Sequence, residues 1–284
     1  MKTVLKPALM ISTILIALIL LALFFPTWTP RIKGENSISV LEHVDLNGTK
    51  QEIMIRGNDR NNPVILNVHG GPGASEIPFA KKMQDLLETK FTIVNYDQRA
   101  SGKSYHFSED YSNLSSDLLV KDLLAVTDYI AKRLGKEKII LIGHSYGTYL
   151  ATQAASRAPE KYEAYIGIGQ MGDTVESEID ALHYVLEQAG QEGNAEDAAQ
   201  LQQLQEAIEN GDALTPRDYV NKYGGASRLT KIPDAMTSSQ AARHYFDSIE
   251  AEHKEFLPYA ESAHYPQYEE KERFVKWMSD TFLD

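Results

Sequence analysis

Short, almost unbroken apolar runs alternate along this chain with longer stretches of helical periodicity. "PVILNVHGG" (63–71), "FTIVNYD" (91–97), "KIILIGH" (138–144) and "AYIGIGQ" (164–170) are strand-length runs that end in glycine or polar residues. Helical patterns separate them: 77–89, 116–134 closed by Gly135, and a stretch reaching Ala158 and stopped by Pro159. Strands without polar alternation are covered on both faces, and strands that alternate with helices pair in parallel. The pattern therefore predicts an α/β fold with a mainly parallel sheet. Residues 37–57 differ, because Val40, Val44 and Leu46 alternate before Asn47-Gly48 and Ile53 and Ile55 follow it. That signature predicts an antiparallel hairpin with a primed turn leading into the sheet.

From Thr174 to about Tyr223 the composition shifts to Glu, Gln and Ala. Helix starts are expected at Ser177, Asn194 and Thr215-Pro216, where a side-chain oxygen can satisfy an orphaned backbone donor or a proline fits the first turn. Beyond it, 238–250 reads as a helix, 254–260 as a strand and 269–283 as a closing helix. Four segments result: an N-terminal anchor and linker at 1–33, a core at 34–173, a helical cap at 174–233 and the rest of the core at 234–284.

The anchor is the run 8–25, "ALMISTILIALILLALFF", eighteen residues without a charge. This length suffices to cross a bilayer as a helix. The bulky residues at its end do not resemble a signal-peptidase site. A single-pass membrane anchor is expected, with the catalytic domain on the extracytoplasmic side.

The 284 residues carry a net charge of −12 and no cysteine. The acidic balance argues against a general nucleic-acid binder, since phosphate neutralisation needs an extended cationic surface. Lack of cysteine removes disulfides, thiolate nucleophiles and zinc-thiolate sites.

The candidate chemistry begins at Gly143-His144-Ser145-Tyr146-Gly147, where a buried strand passes without a gap into a helix. In that context a G-x-S-x-G match describes a sharp turn that presents Ser145 above the sheet, at a helix N-terminus. Serine needs a base to act as a nucleophile at neutral pH. Of the eight histidines, His264 follows the last expected strand at the carboxyl edge of the sheet, whereas His144 packs inside the turn and His43, His106, His183, His244 and His253 are assigned to exposed or loop positions. The "HGGPG" loop (69–73) can expose backbone donors to a developing oxyanion. Gly71 N–H and Tyr146 N–H are the candidate oxyanion-hole pair. A phosphate-binding role for this loop fails for want of a lysine in P-loop spacing.

With these residues in place the chain resembles the α/β-hydrolase family and, within it, the prolyl iminopeptidase-like serine hydrolases. The resemblance rests on His69–Gly73, Asp97–Ser104 ("DQRASGKS"), Gly143–Thr148 and Ser262–Glu270 ("SAHYPQYEE"), and it covers about 38–172 and 235–283. It implies an α/β-hydrolase fold with a helical cap, no metal or other cofactor, and an acyl-enzyme route on small peptides, amides or esters. Two features depart from the family. The turn reads Gly-His-Ser-Tyr-Gly where iminopeptidases usually carry Gly-Gly-Ser-Trp-Gly, and Ala100 stands where they carry glycine. The family also places a buried strand before its catalytic aspartate, and "GGASRLTKIPDAMTSSQ" (224–240) has no apolar run to supply one near residue 233. Asp234 is the expected acid, Asp173 after the sixth strand is the alternative, and a site without a functional acid is the third reading. With the strand missing, 254–260 is expected to pair directly with the sixth strand. The alternative function is a catalytically impaired, internally truncated homologue with a binding role or none.

Overall fold

The computed structural model describes residues 13–16, 29–223, 240–259, 261–262 and 264–283. The chain divides into two units, Met1–Pro30 and Arg31–Asp284, and the architecture below belongs to the second. Of the expected anchor at 8–25 only 13–16 are described, and these are helical; the rest of that expectation lies outside the described residues. Among the described residues no helix is long and apolar enough to cross a membrane.

The hairpin forms as its pattern requires. β1 (Ile38–Leu46) and β2 (Thr49–Gly57) pair antiparallel up to Leu46 opposite Thr49. Asn47 and Gly48 between them take φ of 48° and 79°, the positive values a type I′ turn needs. β3 (Val64–Val68), β4 (Thr92–Tyr96), β5 (Ile139–His144) and β6 (Tyr162–Ile168) complete a sheet of order β1-β2-β4-β3-β5-β6. β2 meets β4 antiparallel, and β4, β3, β5 and β6 run parallel.

Successive side chains of these strands feed opposite faces, which is why their runs show no polar alternation. Leu66, Val94 and Leu141 pack with Leu123, Val126 and Leu150 from the helices Ser116–Leu134 and Tyr146–Arg157. Ile65, Ile93 and Ile140 face the other way, towards Leu87, Phe274 and Met278. The Ser116–Leu134 helix keeps its expected bounds, with the Ser115 hydroxyl accepting from Leu118 N–H and Gly135 closing it at φ 65°.

Several boundaries differ from the sequence expectation. The helix expected over 77–89 ends at Met83 and resumes only as a 3-10 turn, Leu87–Thr89. There Gln84 and Glu88 turn inward, Gln84 accepting from Asn95 and Glu88 pairing with Arg56 at 2.6 Å. The first cap helix starts at Thr174 rather than near Ser177, because the Asp173 carboxylate accepts from Glu176 N–H. The closing helix is broken at Glu270 into Pro266–Glu269 and Lys271–Phe282.

The largest correction concerns 254–260. Residues 254–259 are irregular, and among the described residues β6 pairs only with β5. Pro258 has no N–H for a ladder, and the side chains are committed to neighbouring helices. Phe256 packs edge-on to Phe246 under the Arg243 guanidinium, Tyr259 lies 4.1 Å from the Arg273 guanidinium, and Glu255 accepts from the Trp277 indole. The stretch is a strap, not the strand expected to pair with β6.

Helices Thr174–Gln191, Ala195–Glu209 and Arg217–Lys222 build a separate core from Leu182, Val185, Leu201, Ile208, Val220 and Tyr223. Asn194 caps the second of them as expected. Buried Glu178 ties the first to the third by accepting from Thr215 N–H and Arg217.

Candidate active site

Three parallel strands end at one level, since Val68 lies opposite Gly143 and His144 opposite Ile168. The chain leaves β3 towards β4 on one side and β5 towards β6 on the other, so the loops after β3 and β5 flank the crevice where the strand order reverses. Open α/β sheets bind their ligands there.

Ser145 occupies that point with φ 52° and ψ −125°, a sparsely populated conformation for a residue with a side chain. Its neighbours leave no alternative. A Cβ on Gly147 would sit 2.0 Å from the Val68 carbonyl oxygen, and one on Gly143 would sit 2.7 Å from the Thr148 Cα. The turn is then clamped: Ser145 N–H donates to Ile168 O at 2.8 Å, and the Thr148 hydroxyl donates to Ser145 O while accepting from Met171 N–H.

His264 shares a cavity of about 210 Å³ with Ser145, Gly70, Gly71, Ala74, Glu76, His144 and Tyr265. Its ring lies against the backbone of Gly169: a Cβ built there would be 2.9 Å from His264 Cε1 and 3.9 Å from Ser145 N. Burial, and then the charge of nearby His144, push the imidazole down to about 4, against an opposing pull from Glu76. His264 is therefore neutral and able to take a proton at neutral pH.

Of the oxyanion-hole candidates, Gly71 lines the same cavity and Tyr146 directly follows Ser145, which also lines it. Tyr146 is the first residue of its helix, so its N–H has no intrahelical acceptor. Gly71 has φ 120°, and a Cβ there would approach Gly73 N to 2.6 Å. The loop that carries it is held from below by the 97–104 segment, a role the sequence reading did not assign. His69 accepts from Gln98 N–H at 3.1 Å and donates from Nδ1 to Gly70 O, while the Gln98 amide donates to His69 O. Burial lowers the His69 pKa and favours this neutral form.

The two acid candidates fare differently. Asp234 lies outside the described residues. Asp173 spends its carboxylate on capping a helix, and among the described residues no carboxylate is hydrogen-bonded to the His264 ring. The sequence reading missed Glu76, whose side chain is only 13% exposed. Its Oε1 faces His144 Nδ1 at 3.2 Å and its Oε2 accepts from the Tyr268 hydroxyl at 3.0 Å. Burial raises its pKa, but the bonds from His144 and Tyr268 outweigh burial and leave the carboxyl below its usual range. The available signal was an acidic residue directly after the glycine-rich loop, in "GPGASE".

Residues 63–270 match the family model described as alpha/beta hydrolase fold. The chain belongs to that family. It is 34% identical over 156 residues to the probable aminopeptidase YbaC of Bacillus subtilis, covering 55% of this chain and 49% of that one. It is 30% identical over 138 residues to a proline iminopeptidase of Saccharolobus solfataricus, covering 47% and 38%. The chain thus spans half or less of the length of these curated relatives, which bear out the resemblance to the prolyl iminopeptidase-like branch. Among solved structures, a proline iminopeptidase of Mycobacterium smegmatis superposes with a TM-score of 0.59 at 16% identity, over 86% of this chain and 98% of that one. A proline iminopeptidase-related protein of Thermus thermophilus gives 0.56 at 21%, over 87% and 98%. These two likenesses are of fold.

Proposed function

We propose that this chain is a serine hydrolase that cleaves small peptides, in the manner of an aminopeptidase or proline iminopeptidase, or related amides and esters, through an acyl-enzyme. The observation that carries the reading is Ser145 in a strained strand-to-helix turn, in one cavity with a buried, neutral His264. Ser145 Oγ attacks the scissile carbonyl as His264 takes its proton, and Gly71 and Tyr146 N–H receive the oxyanion. His264 then returns the proton to the leaving group, and water releases the acyl group by the reverse sequence. The names of the curated relatives support a peptide substrate. A pre-steady-state burst on p-nitrophenyl acetate is expected from the wild type and is absent from Ser145→Ala. Turnover in the variant equal to wild type contradicts the reading.

The impaired-homologue reading draws on two observations, the strap at 254–259 in place of a strand and the cap role of Asp173. It predicts fluorophosphonate labelling without multiple turnover. For residues 8–25 the proposal remains a single-pass anchor with the catalytic domain on the extracytoplasmic side, supported by eighteen uncharged residues in sequence. Retention of the full chain in membranes after carbonate washing is expected, and its release contradicts the anchor.

A further inference from the structure

His264 is not placed by the sheet. Residues 254–259 before it are irregular, and no strand among the described residues leads into it, so something other than a strand must hold the base at the nucleophile. We propose that Glu76 and His144 form the positioning pair that fixes His264 beside Ser145, an inference that rests on the serine-hydrolase reading above.

His144 precedes Ser145 in the chain, and its Nε2 lies 2.8 Å from the backbone oxygen of His264. A carbonyl only accepts, so Nε2 carries a proton. The other ring nitrogen faces Glu76 Oε1 at 3.2 Å, longer than a well-formed charge-assisted bond of about 2.8 Å, and it is buried without a well-formed hydrogen bond, this contact included. A lone pair facing a carboxylate across that gap would be repulsive. The contact therefore holds a shared proton, which makes His144 an imidazolium against the Glu76 carboxylate. Tyr268, four residues after His264, completes the chain by donating to Glu76 Oε2. The result stitches the loop after β3 to the end of β5 and to both sides of the base loop. The His144 and His264 rings lie 4.7 Å apart between centroids, so His144 adds to the downward push that burial already exerts on His264. The other titratable groups around the pair are His69 beneath the loop after β3 and Tyr265 on the base loop.

The pair's proton gives the proposal a signature that a merely structural contact lacks. Glu76→Ala lowers kcat on p-nitrophenyl acetate about 10- to 100-fold, the cost of a base displaced by about an ångström, with KM changed less than about twofold. Glu76→Gln restores most of that loss, because its amide N–H can donate to a neutral His144 that keeps its Nε2 proton. Independently of activity, nitrogen-15 NMR of the histidines in the full chain at pH 7 shows both His144 nitrogens protonated in the wild type and only Nε2 in Glu76→Gln, with His144→Gln giving the assignment. A neutral His144 protonated at Nδ1, or wild-type kcat in Glu76→Ala, overturns the pair. Fluorophosphonate labelling that survives Ser145→Ala overturns the serine reading instead, and the NMR result then still decides the state of the pair.

Discussion

Ala100 adopts φ 64°, a left-handed conformation that costs a residue with a Cβ roughly 1–2 kcal/mol. Its position, inside the segment that braces the loop after β3, is where iminopeptidases carry glycine. Ala100→Gly removes the steric cost but adds backbone freedom to the unfolded chain. The net gain is about 1 kcal/mol or less, read as a Tm rise of about 2 °C or less; a fall in Tm contradicts the strain. His264 gives a second prediction. Its folded pKa of about 4 lies below the unfolded value of about 6.5, so between these values the unfolded chain binds more protons. Stability attributable to this residue is therefore full above pH 6.5 and falls as pH drops towards 4, by up to about 3 kcal/mol. Urea melts of wild type and His264→Gln across pH 4–7 test it, because the variant loses that component of the slope. The Ser145 turn was legible in the sequence because its signal is local, a motif at a strand end; His264 was singled out for following a strand at 254–260 that residues 254–259 do not form, yet it shares a cavity with Ser145. Glu76 was not legible, since its partner Tyr268 lies 192 positions away and an acidic residue after the glycine-rich loop does not say what it meets.

At the scale of elements, the buried strands and the Ser116–Leu134 helix followed from periodicity, because both faces of the sheet and one face of the helix must be apolar. The segment 254–260 misled for a related reason. Its aromatic and aliphatic content satisfies a strand pattern, but Pro258 interrupts a ladder and Phe256 and Tyr259 pack instead on the helices 240–248 and 271–282. Asp173 stood as the alternative acid because an aspartate after a strand looks the same whether it orients a histidine or caps the next helix. Its bond to Glu176 N–H decides for the cap. Asp173→Ala should cost about 1 kcal/mol of stability and leave kcat/KM within about twofold of wild type. A loss near the roughly 10⁴-fold seen when a catalytic aspartate is removed would return Asp173 to the mechanism.

At the scale of the molecule, an order reversal in a parallel sheet brings a glycine-rich loop and a strained serine to one edge, and His264 shares the cavity between them. The family follows from that edge and from the match over 63–270; the chemistry follows from the claim that Ser145 is the nucleophile. The most direct test is to treat the full chain with a fluorophosphonate and locate the adduct by mass spectrometry of its peptides. The account predicts one adduct, on Ser145, and none on the Ser145→Ala chain. An adduct on any other residue, or equal labelling of the variant, would contradict it.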